Sequence, residues 1–60
     1  MNTLNIKDFK LGEVVECNGQ IDVIIDFITP ENDKENFDLG YELLLKENGT
    51  QTIGCVKKLN

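Results

Sequence analysis

The sequence contains no arginine, histidine, serine, tryptophan or alanine. Each absence removes a class of chemistry. Without histidine or serine there is no serine triad, no Cys–His pair and no histidine general base. Without arginine there is no bidentate clamp for phosphate and no arginine finger. Carboxylates, lysines, Tyr41 and two thiols remain, and they do not compose a recognisable catalytic set. An enzyme is not expected, and no cofactor is expected either. Long apolar runs are also missing, since no stretch approaches the ~20 residues that a membrane-spanning helix needs. The first residues, Met1 to Asp8, contain no signal-peptide-like apolar segment, so a cytoplasmic protein with no membrane partner is expected.

Positive charge is scarce. Six lysines stand against eleven acidic residues, giving a net charge of −5. Nucleic-acid phosphates are bound through concentrated positive charge, so direct nucleic-acid binding is not expected. The lysines read as solubilising strand ends. Seven asparagines and the Lys/Ile bias suggest an AT-rich genome.

At 60 residues the chain is short. A chain of this length buries only about 60% of the surface its unfolded form exposes, enough for one core. A single domain over residues 1–60 is expected, with no deep pocket several hundred Å3 in volume, and function therefore belongs on the surface. Cys17 and Cys55 could be read as the disulfide of a small secreted domain. Without a signal-like segment they read instead as free thiols packed like small apolar residues, and two thiols alone do not complete a four-ligand zinc site. Asn48-Gly49-Thr50 matches a glycosylation acceptor and is read instead as a turn.

Two Asn-Gly pairs dominate the local pattern. Asn18-Gly19 separates Glu13–Cys17 from Ile21–Ile28, two β-branched runs, and Asn-Gly suits the positive φ angles of a type I′ hairpin turn. Residues 13–28 are therefore predicted to form a hairpin. Strict alternation places Ile21, Val23, Ile25 and Phe27 inward, and Asp22, Ile24, Asp26 and Ile28 outward. Asn48-Gly49 predicts a second hairpin, with Tyr41, Leu43 and Leu45 inward. A long helix from a Thr29-Pro30-Glu31 start competes with it, and a short helical turn at 30–36 is compatible with it. Against the long helix stand Gly40 and the poorly helical run Asn36-Phe37-Asp38. Phe9 and Leu11 are expected to cap an open end of the core. The predicted fold is all-β, with one short helical turn at most. Its four or five antiparallel strands form a meander curled into an open barrel resembling an SH3 domain. That resemblance is to an architecture and specifies no function.

One region invites a functional reading. Asp22, Asp26, Glu31, Asp33, Glu35 and Asp38 cluster along the chain with only Lys34 opposing them. Calcium binding is disfavoured because Phe37 and the lack of a central glycine break the EF-hand pattern. Asp22 and Asp26, four residues apart on a strand, are separated by about 13 Å, too far to share a substrate atom. The expected role is a non-catalytic interaction domain, an adaptor or subunit, that docks on another protein through a sheet edge or these acidic residues. Two alternatives stand beside it. In one, a phage- or mobile-element-encoded inhibitor uses the acidic surface to mimic DNA before a basic, nucleic-acid-binding protein. In the other, the chain is a structural homodimer that covers an outer patch of Ile24, Ile28 and Leu44.

Overall fold

The computed structural model describes residues 4–59. A short 3₁₀ turn at Ile6–Asp8 leads into strands β1 (Val14–Cys17) and β2 (Gln20–Phe27). Helix α1 (Lys34–Asp38) follows, then β3 (Leu43–Leu45), β4 (Gly49–Gln51), a second 3₁₀ turn (Ile53–Cys55) and β5 (Val56–Lys58). The strands form one open antiparallel sheet in the order β4-β3-β2-β1-β5.

Both Asn-Gly hairpins are present. Cys17 pairs with Gln20 across a two-residue turn, where Asn18 (φ 54°) and Gly19 (φ 79°) adopt the two positive φ angles of type I′. In the second hairpin Leu45 pairs with Gly49 and Leu43 with Gln51, so the long helix does not form. The helix that does form is five residues long and starts later than Thr29 predicted. Asp33 is its N-cap, accepting the Asn36 backbone N–H. Thr29 instead closes a polar turn with Asn32, the side chain of each accepting the other's backbone N–H.

From Ile21 to Ile25 in β2, and again at Ile28, the inward face is the reverse of the predicted one, whereas Phe27 packs against the core and Asp26 is exposed as predicted. Ile24 is fully buried and Asp22 is 2% exposed, whereas Ile21 is 62% and Ile25 49% exposed. Two facts explain the reversal and the change of phase that follows it. Both faces of β2 carry isoleucine, so alternation alone does not choose between them. A β-bulge between Ile24 and Asp26 then adds one residue and shifts the phase, so that Ile24 opposes Leu45 and Phe27 opposes Leu43. β2 thus belongs to two ladders, pairing with β1 through Val23 and with β3 from Ile24 onward, while β5 extends the first ladder and β4 the second.

The core comprises Phe9, Val15, Cys17, Ile24, Leu43, Leu45, Ile53 and Val56, with Ile6 and Phe27 packed against it. Phe9 caps the core as expected, but Leu11 is exposed. Tyr41 is half-buried.

Candidate functional site

Three features outside the core carry polar or apolar groups at the surface or bury a charge beneath it. The first is the connection 29–40. Its framework is local hydrogen bonding: the Asn32 amide donates to the Phe27 carbonyl at 2.8 Å, and the Asn36 amide to Asp33 at 2.7 Å. Helix α1 buries none of its residues. Phe37 is 43% exposed and Leu39 69%, and Glu31, Glu35 and Asp38 are exposed in the same connection. Lys34 pairs with Asp38 at 2.8 Å. This exposed i,i+4 pair is worth a few tenths of a kcal/mol and neutralises one acid.

The six acidic residues singled out in the sequence do not form one surface. Asp26, Glu31, Glu35 and Asp38 are exposed, and Asp33 is half-buried in its capping role. Asp22 lies inside the fold and is unavailable to a partner. The patch of Ile24, Ile28 and Leu44 is likewise not an outer patch: Ile24 and Ile28 are buried within the chain and Leu44 is half-buried.

Asp22 is the most strongly shifted carboxylate among the described residues. Burial raises its pKa, but a set of hydrogen bonds overrides burial and holds the carboxyl at about 2, against an ordinary 3.8. One oxygen accepts the backbone N–H groups of Val23 (2.8 Å) and Glu47 (3.0 Å). The other accepts the backbone N–H (3.0 Å) and side-chain amide (2.7 Å) of Asn48. Asp22 thus ties the β3–β4 turn to the middle of the sheet. With four donors on two oxygens, its proton-accepting capacity is committed to structure.

Glu13 is the second buried carboxylate. Lys58 donates to it at 2.8 Å and the Lys10 backbone N–H at 3.1 Å, which together outweigh burial and lower its pKa. The Lys58 ammonium also donates to the Asp8 carbonyl and lies 4.8 Å from the centroid of the Phe9 ring. One cation therefore fastens the N-terminal lead-in and the start of β1 to β5. Lys58→Met is expected to cost about 2–3 kcal/mol at neutral pH, because it strands the buried Glu13 charge. Adding Glu13→Gln is expected to recover part of that loss in a urea melt, whereas strict additivity of the two losses would show that no pair had been broken.

The third feature is a surface cleft of about 290 Å3 between the β1–β2 turn and the start of β5. Glu16, Asn18, Gly19, Gly54, Cys55 and Lys57 line it. Both cysteines are free thiols, but only Cys17 is packed as a core residue. Burial pushes the Cys17 thiol up, and Cys55 and Asp22 add to the shift. Cys55 is exposed in the cleft, where its sulfur accepts the Thr52 hydroxyl at 3.4 Å. Among the described residues every buried side-chain nitrogen and oxygen has a hydrogen-bond partner, so no stranded polar group marks a ligand site. Nor is any helix among them long and apolar enough to cross a membrane.

Neither the cleft nor the outer apolar face of β2 was foreseen from the sequence. The cleft depends on the β1–β5 pairing, which brings residues 16 and 57 together, and that pairing leaves no local signal in the sequence. Comparison with protein-family models, with curated proteins and with solved structures returns no match.

Proposed function

We propose that this chain is a non-catalytic protein-interaction domain of SH3-like barrel architecture, acting in the cytoplasm as an adaptor or subunit, with the connection 29–40 as its working surface. The architecture is supported by the strand order β4-β3-β2-β1-β5, by a bulged β2 common to two ladders, and by the 3₁₀ turn before the last strand. The observation that carries the functional reading is that Phe37 and Leu39 are both exposed, in a connection where Glu31 and Glu35 are exposed too and the helix buries nothing of its own. Two large apolar side chains held in water are a costly arrangement unless a partner covers them. The complementary partner is a protein with an apolar groove rimmed by lysine or arginine. Apolar contact would supply affinity, and the acids would steer the encounter.

The DNA-mimic reading requires many unpaired carboxylates in a row. Burial of Asp22, capping by Asp33 and the Lys34–Asp38 pair remove three of the six, which favours the adaptor over the mimic. A pull-down from native lysate at low and high salt separates the two readings. A specific partner retained at high salt and lost with Phe37→Ser/Leu39→Ser is the expected result. A partner released by salt alone and indifferent to that double variant would replace the adaptor reading with charge mimicry.

A further inference from the structure

The outer face of the β1–β2 hairpin is apolar and lies beside the cleft. Val14 and Val23 are cross-strand partners, and Glu16 and Ile21 are the next partners on the same face, while Ile25 follows in sequence at the bulge. Val14, Ile21 and Ile25 are each close to half exposed or more. Glu16 is the hinge of the arrangement, because it faces Ile21 on one side, Lys57 on the other, and lines the cleft.

We infer that this face binds a second copy of the chain about a two-fold axis, with Ile21 of each copy entering the Glu16/Cys55/Lys57 cleft of the other. Two observations select a second copy as the occupant and a third bounds its strength, and none depends on the interaction reading of the connection 29–40.

The first is shape. A projecting side chain directly beside a cleft on one surface is self-complementary under a two-fold rotation, since the contact made by one copy is returned by the other.

The second is charge. Glu16 and Lys57 are opposite one another on adjacent strands, yet the ion pairs among the described residues are Lys34–Asp38 and Lys58–Glu13. Glu16 and Lys57 are thus available to pair reciprocally across the axis, and a partner of a single charge sign would satisfy only one of them. Of the net charge of −5, three units belong to the connection 29–40, where Glu31, Asp33, Glu35 and Asp38 stand against Lys34. The acidic connection begins beyond Phe27, about 20 Å along β2 from Ile21, further than the Debye length of about 8 Å in physiological salt.

The third is area. The β5-β1-β2 face, three strands wide and about four residues deep, projects on the order of 200 Å2, to which side-chain relief and the cleft add. Specific interfaces bury about 800 Å2 per partner, so the face is at the small end, where association is weak and concentration-dependent.

Sedimentation equilibrium of the full chain from about 10 µM to 1 mM reads the association directly over the range expected for a small interface. The expected result is an average mass rising from that of the monomer toward twice it. Ile21→Lys should abolish the rise, with an unchanged circular dichroism melt because the side chain projects into solvent. Lys57→Glu should abolish it too, and Glu16→Lys/Lys57→Glu should restore it, because the reciprocal pairs are rebuilt with their signs exchanged. Phe37→Ser/Leu39→Ser, in the connection 29–40, should leave it intact. A chain that stays monomeric at 1 mM overturns the inference. So does a dimer that survives Ile21→Lys, which would place the contact elsewhere.

Discussion

Replacing Asp22 with asparagine should destabilise the domain by about 3 kcal/mol, a drop in Tm of roughly 12–24 °C for a chain of this size. The side-chain shapes are nearly the same, so the loss comes from hydrogen-bond polarity. Each carboxylate oxygen accepts two N–H groups. An asparagine amide must place its NH2 where one oxygen stood, and there it faces either the N–H groups of Val23 and Glu47 or both donors of Asn48. Donors then point at a donor around a side chain that is 2% exposed, and flipping the amide exchanges one conflict for the other. The same argument fixes the pH dependence. Because the folded carboxyl titrates near 2 and the ordinary value is 3.8, the stabilisation is fully present above about pH 4 and disappears as pH falls toward 2. The difference corresponds to about 2 kcal/mol. Glu13, also lowered, contributes in the same direction at the upper end of that window. Urea melts between pH 2 and 6 should therefore show stability falling on the acid side in the native chain, with a visibly shallower fall in Asp22→Asn. Equal slopes would show that Asp22 is not the group responsible.

Ile24→Lys is expected to prevent folding, while Ile25→Lys, one residue away, should change Tm by only a few degrees. Ile24 is at the centre of the molecule: its N–H donates to the Glu13 carbonyl, its carbonyl accepts from Gly12, and its side chain packs opposite Leu45. A lysine there would put an unpaired charge among Val15, Cys17, Leu43 and Leu45, a burial that exceeds the whole stability of a small domain. At position 25 the long lysine stem lies along a surface already half in water. Far-ultraviolet circular dichroism and one-dimensional NMR of the two variants decide the point. A folded Ile24→Lys with an unfolded Ile25→Lys would mean that the sheet is inside out.

That pair of variants also marks the limit of what the sequence discloses. The turns at Asn18-Gly19 and Asn48-Gly49 are legible because their chemistry is contained in two adjacent residues. The all-β, antiparallel character follows from those turns and the β-branched runs beside them. The orientation of β2 is not legible, since isoleucine occurs on both faces and the bulge changes phase within the strand. Asp22 looks solvated in a sequence, because the groups that justify burying it lie 25 and 26 residues further along. Of the candidate surfaces, the acidic connection is visible in composition, and its exposed pair Phe37 and Leu39 is not, because aromatic and leucine residues ordinarily signal core. The cleft is invisible for the same reason as Asp22: it is built by long-range pairing.

The strand order carries a consequence for the path by which the chain folds and opens. Among the described residues, β1 pairs with β2, β2 with β3 and β3 with β4 as neighbours in sequence, and only β1 with β5 joins distant segments. The first three ladders can zip up hairpin by hairpin with short loops to close. The last must gather the ends of a segment some forty residues long, and its entropic cost is met only when Val56 and Lys58 reach their places. The β5 ladder is thus the latest to form and the first to be released in partial opening, and its amides should exchange with solvent ahead of those in the β2–β3 ladder. Lys58 then acts as a latch on a four-strand meander, and the rate at which it lets go sets how often the core is exposed to water.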